Sequence, residues 1–135
     1  MAEPKEMLMD FLKEEGYFPA PEGDAGIVFK KEGRTYFTIP DVNDPNFFNL
    51  YSYFDFAGDI PTRALGLETA NDTNKAVKAI KVTLMEEDNP SRVSFGLEVP
   101  LTQVEGFRAI FDRSLNTIGY AVEQFAARLR ARQAG

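Results

Sequence analysis

Eight large apolar residues near the end of the chain constrain the fold more than anything before them. Val104, Phe107, Phe111, Leu115, Ile118, Val122, Phe125 and Leu129 follow one another at steps of 3, 4, 4, 3, 4, 3 and 4. Those steps average about 3.6, the period of a straight α-helix, so the eight side chains share one stripe. Ahead of them Thr102-Gln103-Val104-Glu105 has the pattern of a capping box, in which hydroxyl and carboxylate each satisfy an orphan backbone N–H. The spacing predicts a helix from Gln103 to Arg130. At about 1.5 Å per residue it would be about 42 Å long, against about 35–40 Å for the width of a domain of this length. The helix is therefore expected to cross its whole sheet and to overhang it, which favours a homodimer.

Upstream the period changes. Met7, Leu8, Phe11 and Leu12 share a face of a first helix, Pro4 to Glu15, stopped by Gly16. A turn-rich connector, Phe18 to Gly26, follows. Ile27 to Phe29 and Thr35 to Ile39 read as strands around a Lys31–Arg34 turn, and Phe47 to Phe56 as a third. Three strands on short connections imply an antiparallel meander. Asp59-Ile60-Pro61-Thr62 signals a helix start, with the helix running to about Asn74. Two further strands alternate strictly, Ile80–Leu84 and Val93–Val99, on either side of the acidic turn Glu86–Ser91. The expected fold is thus α+β, one domain over residues 1–135, with an antiparallel sheet of about five strands and elements in the order α-β-β-β-α-β-β-α.

Composition removes several classes of function. The 135 residues contain no His, Cys or Trp. Zinc sites built on His or Cys, thiol nucleophiles, disulfides and triads with a His base are excluded. Fifteen Lys and Arg against 21 Asp and Glu give a net charge of −6, which argues against a nucleic-acid partner held through its phosphates. The acid is concentrated: residues 1–60 carry 5 basic and 12 acidic side chains, whereas Arg128, Arg130 and Arg132 close the chain. Those arginines suit the negative end of a helix dipole. The start, Met1 to Glu6, is acidic and polar, unlike a signal peptide, and no apolar run approaches a membrane span. A cytoplasmic protein without a membrane partner is expected.

Catalysis would have to rest on carboxylates. Glu14-Glu15, Glu86-Glu87-Asp88 and the Asp41/Asp44 pair fall at a helix end, a hairpin tip and a loop, where charges are solvated. Asp41-Val-Asn43-Asp44 lacks the glycine and distant glutamate of a calcium loop and reads as an Asx turn. No phosphate-binding glycine pattern is present, and Lys75, Lys78 and Lys81 read as a solvated edge. No catalytic residue, metal site or cofactor is expected. The informative excess is aromatic. On the third strand Phe48, Phe54 and Phe56 fall on one face, while Phe47, Tyr51 and Tyr53 fall on the other. Either another helix covers that second face, or Phe47, Tyr51 and Tyr53 form a partner or dimer surface, for which tyrosine is well suited.

The order helix, three strands, helix, two strands, long helix resembles the type III secretion chaperone-like fold. Within it the chain most resembles the YbjN family of candidate bacterial sensory transduction regulators. The stretch that carries the resemblance is Ala70-Asn71-Asp72-Thr73-Asn74, the Ala79–Met85 strand, the acidic turn and the Arg92–Val99 strand. The resemblance implies helix-end caps at Asn71 and Asn74. It also implies a small acidic dimer that holds an extended protein client on apolar patches and by strand addition, without ATP. The expected function is a non-enzymatic protein-binding module, a regulator or secretion-type chaperone with a protein partner. A small-molecule binder or carboxylate-based hydrolase with a pocket between sheet and long helix is the alternative. An adaptor using the three arginines is a third reading.

Overall fold

A computed structural model describes residues 3–134; Met1 and Ala2, which begin the acidic opening, and Gly135 lie outside it. Helix α1 (Pro4–Glu14) carries its proline in the first turn, where a missing N–H breaks no helical bond. It buries Leu8, Phe11 and Leu12, and Gly16 at φ +92° lets the chain leave it. The expected connector then contributes a strand of its own, β1 (Ala20–Glu22), so the sheet has six strands rather than about five. Three residues that include a proline give no alternation to read.

Strands β2 (Gly26–Lys31) and β3 (Arg34–Thr38) are joined by Glu32-Gly33, both at positive φ, the two-residue turn whose twist matches a hairpin. Strand β4 (Phe47–Asp55) lies beside β3. Helix α2 (Arg63–Ala76) follows, capped by the Thr62 hydroxyl, which accepts the Leu65 N–H at 3.1 Å. Strands β5 (Lys81–Leu84) and β6 (Arg92–Pro100) complete the sheet in the order β1-β2-β3-β4-β6-β5, antiparallel throughout. The β4–β6 pairing is the longest, from Phe47 opposite Pro100 to Asp55 opposite Arg92.

The capping box does not form. The chain stays extended through Gln103 and enters by one tight turn, Val104–Gly106, before α3 (Phe107–Ala134) begins. The Leu101 N–H bonded to the Asn46 carbonyl prolongs the strand-like path and shifts the helix start past Thr102. The predicted stripe is otherwise the buried face of α3, from Phe107 to Leu129. The last turn of α3 runs onto α2 and does not stand free of the domain. Arg132 pairs with Glu68 and Asp72 of α2, and the Gln133 amide donates to the Asp59 carbonyl, so α2 and its approach loop underlie the final turns.

All three helices cover one face of the sheet. Two aromatic groups on α3 anchor them. Phe111 meets Phe11 at 5.1 Å, Phe29 at 5.8 Å and Phe48 at 6.4 Å, and Phe125 meets Phe56 at 4.9 Å and Phe95 at 5.6 Å. Such edge and tilted contacts add to the area that each ring buries. Just past the end of β3, the side chain of Asn49 in β4 stands in for a backbone partner. Its Oδ1 accepts the Ile39 N–H at 2.7 Å, and its Nδ2 donates to the Ile39 carbonyl at 2.8 Å.

Candidate functional site

Side chains alternate across a strand, so the pairing register shows which residues share the face that the helices leave bare. Val28 stands opposite Phe37, Phe37 opposite Tyr51, Tyr51 opposite Gly96, and Gly96 opposite Lys81. This row crosses five strands. In the next row along, Tyr53 stands opposite Ser94, and Ser94 opposite Thr83. Tyr53 is 40% exposed, and its ring lies 5.0 Å from that of Phe37. Beside them Phe37, Ile39 and Tyr53 line a recess of about 350 Å³ that reaches Glu22 and Gly26. The centre of the face is apolar and its rim carries Lys30, Lys81 and Glu98, the layout of an interface patch.

Gly96 gives Tyr51 its position. A Cβ at that site would come within 2.5 Å of the tyrosine ring, so only glycine lets the ring lie across β6. The Tyr51 hydroxyl lies near the Glu98 carboxylate, which accepts from the Lys81 ammonium at 2.9 Å. Burial first, and then the Glu98 charge and hydrogen bond, push the Tyr51 phenol up to about 12. Burial also raises Tyr53. A group held neutral by the fold keeps its stabilising protonated form below the unfolded value of about 10 and loses it as pH climbs through the folded value. Stability should therefore fall between pH 10 and 12, and Tyr51→Phe should flatten the upper part of that fall in denaturant titrations. An unchanged profile in the variant would remove Tyr51 as its source.

The structure brings Tyr51 and Tyr53 together but not Phe47. Four residues of strand, about 13 Å, separate Phe47 from Tyr51. Phe47 instead lines a small recess with Pro40, Pro45 and Leu101. Phe54, expected on the same strand face as Phe56, touches that ring at 4.7 Å and is 41% exposed, because β4 reaches the sheet's end there. Val28, Phe37, Ile39 and Gly96 were missed as parts of this face. Phe37 lies between buried Tyr36 and Thr38 on β3, and its place beside Tyr53 follows from the β3–β4 register, which local sequence does not display.

The remaining candidates have local roles. The Asp41 carboxylate accepts the Asn43 N–H at 2.8 Å, the Asx turn read from sequence. Glu86 pairs with Arg92 and Glu14 with Arg108. Arg132, beside Asp72, holds that carboxyl below its ordinary range. Among the described residues no group of three or more His, Cys, Asp or Glu is placed to hold a metal, and no helix is long and apolar enough to cross a membrane. The recess between sheet and helices that includes Leu8, Phe48 and Phe107 has about 20 Å³ of free space, enough for one water.

No protein-family model and no curated sequence matches the chain. Solved structures do. YbjN of E. coli, described as a candidate transcription regulator, superposes with a TM-score of 0.65 at 16% identity, over 96% of this chain and 91% of YbjN. The fold is that of YbjN. A protein of uncharacterised function from Methanothermobacter thermautotrophicus gives 0.66 at 13% identity, over 96% and 98% of the two chains. The HopA1–SchA chaperone–effector complex gives 0.55 at 14% identity, over 93% and 92%. The expected YbjN-like and chaperone-like architecture is therefore observed, with one more strand than the sequence implied. The family-like Asn74 caps no helix end: α2 continues to Ala76, and the Asn74 amide is bonded to β5 instead.

Proposed function

We propose that the chain is a non-enzymatic protein-binding module of the regulator or chaperone kind, acting in the cytoplasm, that holds a partner protein against the open face of its sheet. One observation carries this reading: Phe37, Tyr51 and Tyr53 form a contiguous aromatic patch on a face that no helix reaches. Tyrosine and phenylalanine in that setting supply contact area at low side-chain entropy, as in interface hot spots. The recess beside Tyr53 has room for one large apolar side chain of the partner, and the fold is shared with a chaperone known in complex with its effector. A homodimer, expected from sequence, would use this same face, so a second copy of this chain is the competing occupant.

A photocrosslinking residue tests the assignment. Placed at Tyr53 in the native host it should trap one stoichiometric partner, while the same residue at Tyr120, on the outer side of α3, should not. Equal trapping at both positions sinks the reading, and a crosslinked pair of this chain replaces the partner with a second copy.

A further inference from the structure

Open sheets carry a liability at their edges, where unpaired N–H and C=O groups recruit further strands. Both edges here are closed, and in different ways. On β5, the Met85 N–H donates to the Arg92 carbonyl at 3.0 Å, which makes that a hydrogen-bonded pair. Bonded and non-bonded pairs alternate in an antiparallel ladder, so Thr83 and Lys81 also turn their backbone groups toward β6. Val82 and Leu84 then turn theirs outward. The Val82 N–H donates to Asn74 Oδ1 at 2.8 Å, and its carbonyl accepts from Asn74 Nδ2 at 3.1 Å. One side-chain amide thus supplies the two bonds that a peptide of an added strand would supply. At the other end of α2, Arg63 donates to the Glu86 and Glu87 carbonyls. Between them Gly66 sits against the Leu84 side chain, where a Cβ would come within 3.0 Å. Helix α2 is strapped along β5.

The opposite edge is shut chemically. The two-residue turn Glu32-Gly33 makes Lys31 and Arg34 a bonded pair, so Phe29 and Ile27 also address β3 while Val28 and Gly26 address β1. Ala20 and Glu22 stand opposite Val28 and Gly26, which turns Pro21 outward. Proline has no N–H to offer there, and Pro19, two residues earlier, has none either.

We infer that both edges of the sheet are sealed against strand addition, by the Asn74 amide on β5 and by Pro19 and Pro21 at β1, and that removing either seal opens a site for a second copy of this chain. A partner on the open face is then held through side chains rather than by a lengthened ladder. This departs from the strand-addition mode that the family resemblance implied.

Two sets of variants test the seals against wild type at equal concentrations. Asn74→Ala should speed hydrogen exchange of the Val82 amide about tenfold, the value of one lost bond. Its mass by light scattering should climb with concentration more steeply than wild type. Pro19→Ala with Pro21→Ala changes β1, whose three residues are all exposed, and the half-buried residue just before it, so it reports even if the first variant folds poorly, and it should show the same climb. Val82 exchange at the wild-type rate in a folded Asn74→Ala protein overturns the role of Asn74. Wild-type mass curves in both edge variants overturn the sealing as a whole. Neither result depends on Tyr53, so the face assignment fails or stands separately.

Discussion

Phe111→Ala should destabilise the protein by about 3–5 kcal/mol, the range for deleting a fully buried aromatic ring. The ring is 1% exposed and touches Phe11 of α1, Tyr17 of the following loop, Phe29 of β2 and Phe48 of β4. Its removal leaves a cavity bordered by four rings from four segments, each fixed by other contacts, so collapse cannot fill the space. For a chain of this length that loss should lower the melting temperature by about 10–20 °C. A control at the other end of α3, Ala127→Gly, sits on the exposed side and should cost only about 1 kcal/mol through helix propensity. Comparable losses for the two variants would mean that Phe111 is not the joint between α1 and the sheet.

The same residue illustrates what the sequence makes legible. Phe111 sits in a stripe repeated over seven turns, and a signal of that length survives any local error. The stripe therefore predicts every large apolar residue that α3 buries, missing only the small Ser114 and Ala121, and strict alternation predicts β6 almost as well. Short-range chemistry proved less reliable. The Thr102–Glu105 box has the right residues at the right spacing, but the Leu101–Asn46 bond holds the chain extended past it. Strand β1 escapes notice because its pairing is dictated by β2, not by its own three residues. The candidate surface divides along the same line. Tyr51 and Tyr53 are legible because β4 is long and carries rings on both sides. Phe37 is not, since its place beside Tyr53 depends on the β3–β4 register, which Asn49 sets through bonds to Ile39. Phe47 shares the parity of the tyrosines but not their neighbourhood, and parity is all that a sequence displays.

Tyr51→Ser combined with Tyr53→Ser should cost the partner complex far more than it costs the fold. Tyrosines at the centre of an interface patch contribute about 2 kcal/mol or more each when truncated, so loss of even one such contact weakens binding about thirtyfold. In the free protein the same rings are only partly covered. Tyr53 is 40% exposed, and Tyr51 rests on Gly96 with its hydroxyl at the sheet surface beside Glu98. Their removal should therefore lower stability by roughly 1–2 kcal/mol in total, well short of the Phe111 effect, with cooperative melting retained. The partner trapped from Tyr53 supplies the binding assay, and denaturant titration supplies the stability. The decisive quantity is the ratio of the two losses. A binding loss that merely tracks the stability loss would make these rings a second, thinner core under a face that nothing visits. Serine also leaves a small polar surface, whereas phenylalanine at both positions keeps the contact area and deletes only the hydroxyls. That pair should retain most of the affinity if area is what the partner reads, and should lose it if the Tyr51–Glu98–Lys81 chain is the feature recognised.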